Sequence, residues 1–237
     1  MNPIQALRMR RPVAIGGGDP FWSSVVFLSG FEGVDGSTSF TDESSAAHAI
    51  TALSAAQVDT AQFKFGSSSL LLDGTNDAIS MANSADWQFG SGAFTIEAWI
   101  RYNSVTASTI FLGHTNSSGK GWNFYRDNGS LQFTASSGVI GLSSAWTPSA
   151  GGWYHIAIDR DGSGVARLYR DGTMLVKQTG ATGSIDDPSI GLYLSRIAYV
   201  DTWNFNGWMD EVRITKGVAR YASDSGFTVP AAALPRS

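Results

Sequence analysis

Two clusters of aromatic and polar side chains have the composition of a saccharide-binding surface. One cluster lies within residues 122–127 and the other within residues 199–206. An indole or phenol ring can stack on the C–H face of a sugar, and amide or carboxylate groups can bond its hydroxyls. The same aromatic residues could instead pack in a core or at a protein interface. The candidate ligand residues are Trp122, Asn123, Tyr125, Asp127, Trp203 and Asn204.

The acidic residues do not indicate catalysis. A glycoside hydrolase needs two carboxylic acids around the scissile bond, one as acid and one as base or nucleophile. The most regular predicted strand, residues 94–102, offers only Glu97, and the adjacent Asp210 and Glu211 should face opposite sides of a strand. We therefore expect a protein that is not an enzyme, with a divergent glycoside hydrolase as the alternative. Metal-ligand spacing is also missing among the three histidines, His48, His114 and His155.

The charge is distributed unevenly along the chain. Residues 1–18 contain Arg8, Arg10 and Arg11 and no acid, so they carry +3, and the rest of the chain carries −7 of the net charge of −4. An acidic body argues against binding to nucleic acid or an anionic membrane, because phosphate recognition needs clustered Lys and Arg. We predict that residues 1–22 form an arm with a glycine-rich joint, and that its arginines dock on another protein.

The strand pattern favours an all-β protein. In residues 94–102, Phe94, Ile96 and Ile100 share one face, while polar residues alternate with them. Asn128-Gly129 is a hairpin signal, because a type I′ turn needs positive φ at both central residues. About fourteen short strands with turn residues between them predict a sandwich or barrel without helices outside the arm.

The segment of residues 206–214 alternates in the manner of a half-buried strand. Trp208, Val212 and Ile214 have the parity of a core-facing set, and Asp210 shares that parity. An inward-facing acid needs a bonding partner. The sequence therefore predicts that Asp210 faces the interior of the sandwich.

Several classes of protein are disfavoured by composition. The chain has no cysteine, so it has no disulfide framework and no thiolate metal site. No apolar run approaches the length of a membrane span, and the first residues lack the apolar stretch of a signal peptide. We expect no membrane segment and no classical export signal.

Five segments in order resemble the laminin G-like jelly roll of the concanavalin A-like superfamily. The resemblance covers roughly residues 24–230. It implies two antiparallel sheets of six or seven strands in one domain, residues 23–237, and often binding to glycans or a host surface. The segments are residues 71–77, 94–100, 153–157, 168–172 and 207–214.

The C-terminal sequence resembles that of a narrower group of proteins. Residues 213–221 and 227–230 resemble the ending of laminin G-like modules in structural proteins of tailed bacteriophages. This resemblance implies a virion protein, either a decoration or a tail-associated protein, attached to capsid or tail proteins through its arm. The alternative is a host-glycan adhesion module of a tail fibre, and the oligomeric state stays open.

The superfamily resemblance also implies a calcium site. Members often bind Ca²⁺ through an acid of the last strand and backbone carbonyls of early segments, and hard oxygen ligands suit that ion. Asp210 matches the acid. The alternative is that Asp210 accepts backbone N–H bonds or pairs with an arginine. The other candidate calcium ligands are Glu32, Gly33, Asp73 and Gly74.

Overall fold

The computed structural model of the protein describes residues 18–200 and 202–237, and the arm arginines Arg8, Arg10 and Arg11 lie outside them. Within these residues the chain forms two antiparallel β-sheets packed face to face, so the expected two-sheet jelly-roll sandwich is confirmed. None of the helical elements in this part of the chain has the length and apolarity to cross a membrane. They are three 3₁₀ turns, Trp22–Ser24, Ala85–Trp87 and Ser136–Gly138.

One sheet has eight strands in the described part of the chain. They are β1 (Val25–Ser29), β3 (Gln57–Asp59), β4 (Ser69–Asp73), β6 (Phe94–Tyr102), β11 (Trp153–Arg160), β12 (Ala166–Arg170), β13 (Thr173–Gln178) and β15 (Asn206–Lys216). Their order is β13-β12-β11-β6-β15-β4-β3, and β1 also pairs with β15. The last strand, β15, therefore lies at the centre of this sheet.

The other sheet has seven strands among the same residues. They are β2 (Thr51–Leu53), β5 (Ala78–Met81), β7 (Thr109–Thr115), β8 (Gly121–Asp127), β9 (Ser130–Ala135), β10 (Ile140–Ala145) and β14 (Leu192–Leu194). Their order is β10-β9-β8-β7-β14-β5-β2. The sequence had not predicted β10, because Gly141, Ser143 and Ser144 dilute its apolar alternation with turn-like residues.

Alternation along the strands separates core from outer face as expected. On β6 the core residues are Phe94, Ile96, Ala98 and Ile100. The hairpin signal at Asn128-Gly129 is also confirmed, with φ values of 47° and 75° in the turn between β8 and β9. Each strand therefore presents every second side chain to the outside of the sandwich.

A β-bulge in β15 changes the expected position of Asp210. Glu211 has a φ of 49°, and the register against β6 shifts between Asp210 and Arg213. Because a bulge inserts an extra residue, parity changes across it. Met209 and Val212 both reach the core, so Asp210 lies on the outer face, and the predicted inward-facing acid is wrong.

The segment after β15 folds back over the outer face of the eight-stranded sheet. Tyr221 and Phe227 stack in parallel with ring centroids 3.4 Å apart, and both contact Tyr169 of β12 edge to face. Near the end of the chain, Leu234 packs against Leu28 of β1. This face is therefore partly covered by the chain itself.

Buried charges join the covering segment to the sheet. Arg213 donates to Glu97 Oε1 from Nε at 2.9 Å and from Nη2 at 2.7 Å. Its Nη1 donates to Asp19 at 2.9 Å, and Arg220 donates to both oxygens of Asp19 at 2.9 and 2.7 Å. Asp19, which the sequence assigned to the joint, is thus an integral part of the sandwich.

Glu97 is ionised inside this network. Its side chain is fully buried, and His155 Nε2 lies 3.1 Å from its second oxygen. Burial alone would raise the pKa of the Glu97 carboxyl, but the charge of Arg213 and the hydrogen bond with His155 outweigh it and hold that pKa well below its usual range. Such a group tolerates burial only while its cation stays in place.

Candidate functional site

A loop of residues 195–205 crosses the outer face of the seven-stranded sheet. Side-chain bonds tie its ends together: Ser195 Oγ accepts from the Phe205 amide at 2.8 Å, and Asn204 Nδ2 donates to the Ser195 carbonyl at 3.1 Å. The Trp203 carbonyl accepts from the Ile110 amide at 2.7 Å, which fixes the loop to β7. The described residues of this crossing loop form one wall of a groove.

Gly113 allows the loop to lie directly on β7. A Cβ atom at this position would overlap the side chain of Ile197 and lie 2.5 Å from the carbonyl oxygen of Arg196. The constraint is steric, since the backbone of Gly113 is not in the left-handed region. A larger residue here would push the loop away from the sheet.

The groove has two connected lobes with volumes of about 200 and 220 Å³. Asn123, Thr134 and Tyr199 line both lobes and join them. The first lobe is apolar and aromatic, and the second has small residues and exposed backbone. The first is also lined by Ile110, Tyr125, Ile197, Val200 and Trp203, and the second by residues including Thr115, Gly119, Gly121, Ser136, Gly138 and Gly141.

The groove combines aromatic rings with an unsatisfied amide. The rings of Tyr125 and Trp203 lie 6.2 Å apart at an angle of 30°, and Tyr199 is 50% exposed. Asn123 Oδ1 is buried and has no hydrogen-bond partner among the described residues. A buried carbonyl oxygen without a donor is costly, so a ligand hydroxyl at this point would be favourable. None of the described lining residues is charged.

The structure places some of the predicted ligand residues in the groove and others in the core, according to the face of the strand on which each lies. Asn123, Tyr125 and Trp203 come together in the groove. Trp122 is wrong as a ligand residue, because it is only 1% exposed and its Nε1 donates to the Trp87 carbonyl at 2.9 Å inside the core. Consecutive residues of a strand face opposite sides, so Trp122 and Asn123 could never share a ligand.

The remaining two predicted residues have structural partners. Asn204 is 3% exposed and serves to tie the loop, so its assignment as a ligand residue is also wrong. Asp127 lies at the end of β8, outside the groove lining, and accepts hydrogen bonds from Ser108 and Asn128. Sequence reasoning missed Thr134, whose outward position on β9 beside Asn123 is the signal that could have revealed it.

The candidate calcium ligands do not fit a metal site. Asp210 Oδ2 accepts backbone N–H bonds from Lys64 at 2.7 Å and Phe65 at 3.0 Å, which is the alternative that the sequence left open. Asp73 pairs with Asn206, so it and Gly74 lie about 13 Å along the strand from Asp210, at about 3.3 Å per residue. The described residues contain no group of three or more His, Cys, Asp or Glu that could hold a metal ion.

The side chain of Glu32 and the amide of Gly33 have partners of their own. The carboxylate of Glu32 accepts from the Ser67 amide at 3.1 Å and from its hydroxyl at 2.6 Å. The amide of Gly33 donates to Ser68 Oγ at 3.0 Å. Glu32 therefore holds the loop after β3 and is not aimed at Asp210.

The carboxyl group of Asp210 is fully buried. Burial raises its pKa to about 7, although the hydrogen bonds from the amides of Phe65 and Lys64 act in the opposite direction. Its Oδ1 has no partner in the described part of the chain. With no cation beside it, a carboxyl with this pKa is largely protonated below neutral pH.

Comparison with known sequences places the chain in a family. The sequence model of the concanavalin A-like lectin/glucanases superfamily matches residues 73–221, more than half of the 237 residues. The chain belongs to the concanavalin A-like lectin/glucanase superfamily. The matched region of this superfamily domain includes both walls of the groove and most of the buried charge network. No curated protein matches the sequence.

Solved structures show the same fold. The binding domain of Paraclostridial Mosquitocidal Protein 1 has a TM-score of 0.65 at 16% identity, over 84% of this chain and 50% of its own. The binding domain of botulinum neurotoxin serotype D has a TM-score of 0.61 at 14% identity, over 85% of this chain and 50% of its own. The superfamily domain described here thus spans about half the length of these structures, and at such identities the likeness concerns the fold alone.

The raised pKa of Asp210 predicts a pH-dependent stability. Its folded-state value of about 7 exceeds the ordinary 3.8, so the folded chain binds the proton more tightly and becomes less stable as pH rises from about 4 to about 7. Asp210→Asn removes the charge and keeps an acceptor for the two amides. We expect this variant to gain up to a few kcal/mol in unfolding free energy relative to the wild type across that interval, measured by urea denaturation.

Asp73→Asn is the control, since it removes one charge from the exposed end of β4. If Asp210→Asn and the wild type show the same pH dependence, the account of Asp210 is contradicted.

Proposed function

We propose that the protein is a saccharide-binding module that recognises its ligand in the groove on the seven-stranded sheet. The observation that carries the proposal is the convergence of Tyr125, Tyr199 and Trp203 with the unpartnered oxygen of Asn123. Aromatic rings offer flat surfaces for sugar C–H groups, and the amide and nearby backbone groups offer bonds for hydroxyls. The superfamily name, lectins and glucanases, supports the same class of ligand.

Binding without hydrolysis is the form of this function that the geometry favours. The described residues lining the groove include no carboxylic acid, whereas glycoside hydrolysis needs two. Glu97 is fully buried and both of its oxygens are occupied by Arg213 and His155. We therefore propose a module that is not an enzyme.

We further propose that the module is displayed on a bacteriophage virion. This setting is supported by the resemblance of residues 213–221 and 227–230 to phage structural proteins and by the basic composition of the arm. Residue 19, where the arm meets the sandwich, lies on the covered face of the eight-stranded sheet, and the groove lies on the other sheet. A module held by its arm would thus present the groove away from its attachment.

Removing one groove aromatic should weaken saccharide binding. Tyr199→Ala removes a half-exposed ring from both lobes, so we expect affinity for the best neutral ligand from a glycan array to fall at least about tenfold, or about 1.4 kcal/mol. Phe63→Ala is the matched control, because Phe63 is 43% exposed and precedes Lys64, whose amide donates to Asp210 on the outer face of the other sheet. An array without any saccharide signal, or equal losses in both variants, would contradict the proposal.

Removing the arm should abolish attachment to particles. A chain that lacks residues 1–17 keeps Asp19 and its bonds to Arg213 and Arg220, so we expect it to fold and bind saccharide normally. Its incorporation into virions should be lost, measured by occupancy in electron microscopy of assembled particles. A triple Gln substitution of Arg8, Arg10 and Arg11 tests the charges separately. Full occupancy of the shortened chain would overturn the arm's role.

A further inference from the structure

A row of tryptophans and one arginine crosses the uncovered half of the eight-stranded sheet. Arg101 of β6 pairs in register with Trp153 of β11 on one side and with Trp208 of β15 on the other. All three side chains point outward and are partly exposed. Because adjacent strands lie about 4.8 Å apart, the two indoles flank the arginine across about 10 Å. The three side chains therefore lie side by side on the outer face of the sheet.

The guanidinium of Arg101 lacks the partners that its neighbours have. Its side chain has no hydrogen bond or ion pair with any of residues 18–200 and 202–237, and its Nε is buried without a partner. It lies over the ring of Trp208, 5.5 Å from the centroid, and Trp208 Nε1 is fixed by Asp59 at 2.7 Å. The cation is therefore held in place with its donors unused.

A second unpaired cation lies beside the row. The Nζ of Lys64 is 4.0 Å from the ring centroid of Trp99, which is two residues before Arg101 on the same face of β6. No carboxylate of the described residues pairs with Lys64 or with Arg101. This cationic and aromatic strip is a local exception on a body that carries −7 outside the arm. Such a strip is complementary to an anion.

We propose that this strip is a second binding site and that its ligand is a saccharide carrying carboxylate groups, such as a uronate oligosaccharide. Arg101 would bind one carboxylate with two of its unused N–H donors, and Lys64 would attract a second. The exposed parts of Trp153 and Trp208 provide surfaces for the sugar rings on either side. The partly exposed indoles beside the cations favour a saccharide over an acidic peptide, because their ring faces can stack on the C–H faces of sugars.

This strip is separate from the groove, since the two lie on outer faces of different sheets. The proposal for each site can therefore be tested and contradicted independently of the other. Tyr199→Ala should leave binding at the strip unchanged, and substitution of Arg101 should leave binding at the groove unchanged.

Calorimetric titration of the full chain with oligogalacturonate, alginate and hyaluronan oligosaccharides tests the strip. We expect the wild type to bind at least one of them, more weakly as salt rises, and to bind a neutral galactan oligosaccharide at least about tenfold less tightly at this site. Arg101→Gln should reduce the uronate affinity at least about tenfold, and Lys64→Gln should reduce it less. Trp153→Ala, which keeps both cations, should also weaken binding. Thermal unfolding of each variant confirms that it is folded.

Lys120→Gln is the matched control, because it removes one exposed positive charge from the loop before β8 on the other sheet. Its affinity for the uronates should equal that of the wild type. The proposal is overturned if none of the three uronates binds, or if Lys120→Gln weakens binding as much as Arg101→Gln does. It is also overturned if polyglutamate binds as tightly as the uronates, since the strip would then be a protein-docking surface.

Discussion

The buried ion network of Glu97, Arg213, Asp19 and Arg220 is the constraint on which the rest of the structure depends. It lies between the central strands of the eight-stranded sheet and the segments before β1 and after β15. A buried carboxylate that loses its cation destabilises a protein by about 3–5 kcal/mol. The covering segment must therefore stay in place for the sheet to tolerate Glu97, and the two ends of the described chain meet on this face, where the Asp19 amide donates to the Ser237 carbonyl.

The covering segment leaves two other surfaces of the sandwich exposed, and these are the two proposed binding sites. The groove on the seven-stranded sheet exists because the crossing loop lies against Gly113 and is tied at Ser195. The strip around Arg101 exists because the covering segment contacts His155, through Phe227, and Tyr169 but does not extend over Trp153 and Trp208. One surface is an uncharged groove, and the other carries two cations beside exposed indoles. The two proposed saccharide sites thus lie on opposite faces of the same sandwich and differ in their chemistry.

Local patterns in the sequence predicted elements better than they predicted contacts across the molecule. The strand Phe94–Tyr102 was predicted to the residue, because its alternation is unbroken. Asp210 was assigned to the wrong face because the β-bulge at Glu211 changes the alternation of the strand. The bulge depends on the backbone conformation of Glu211, which the pattern of apolar and polar residues does not reveal. Trp122 and Asn123 were assigned to one ligand site because they are adjacent in sequence, although their side chains lie on opposite faces of the strand.

The covering segment was beyond sequence reasoning for a similar reason. Glu97 and Arg213 are 116 residues apart in the sequence, and no local pattern around either residue predicts their contact. Tail residues such as Tyr221 and Phe227 have no periodicity that would reveal a docking face. Such contacts are set by tertiary packing, so they emerge only with the fold.

The central claim is that the outer face of the seven-stranded sheet binds saccharide. Backbone amide NMR of the full chain, titrated with the best neutral ligand from the glycan array, tests it most directly. The account predicts that the largest shift changes occur at Asn123, Thr134 and Tyr199, with little change at Glu97 and Arg213 under the covering segment. Shift changes centred on the eight-stranded sheet, with the groove amides unmoved, would contradict it.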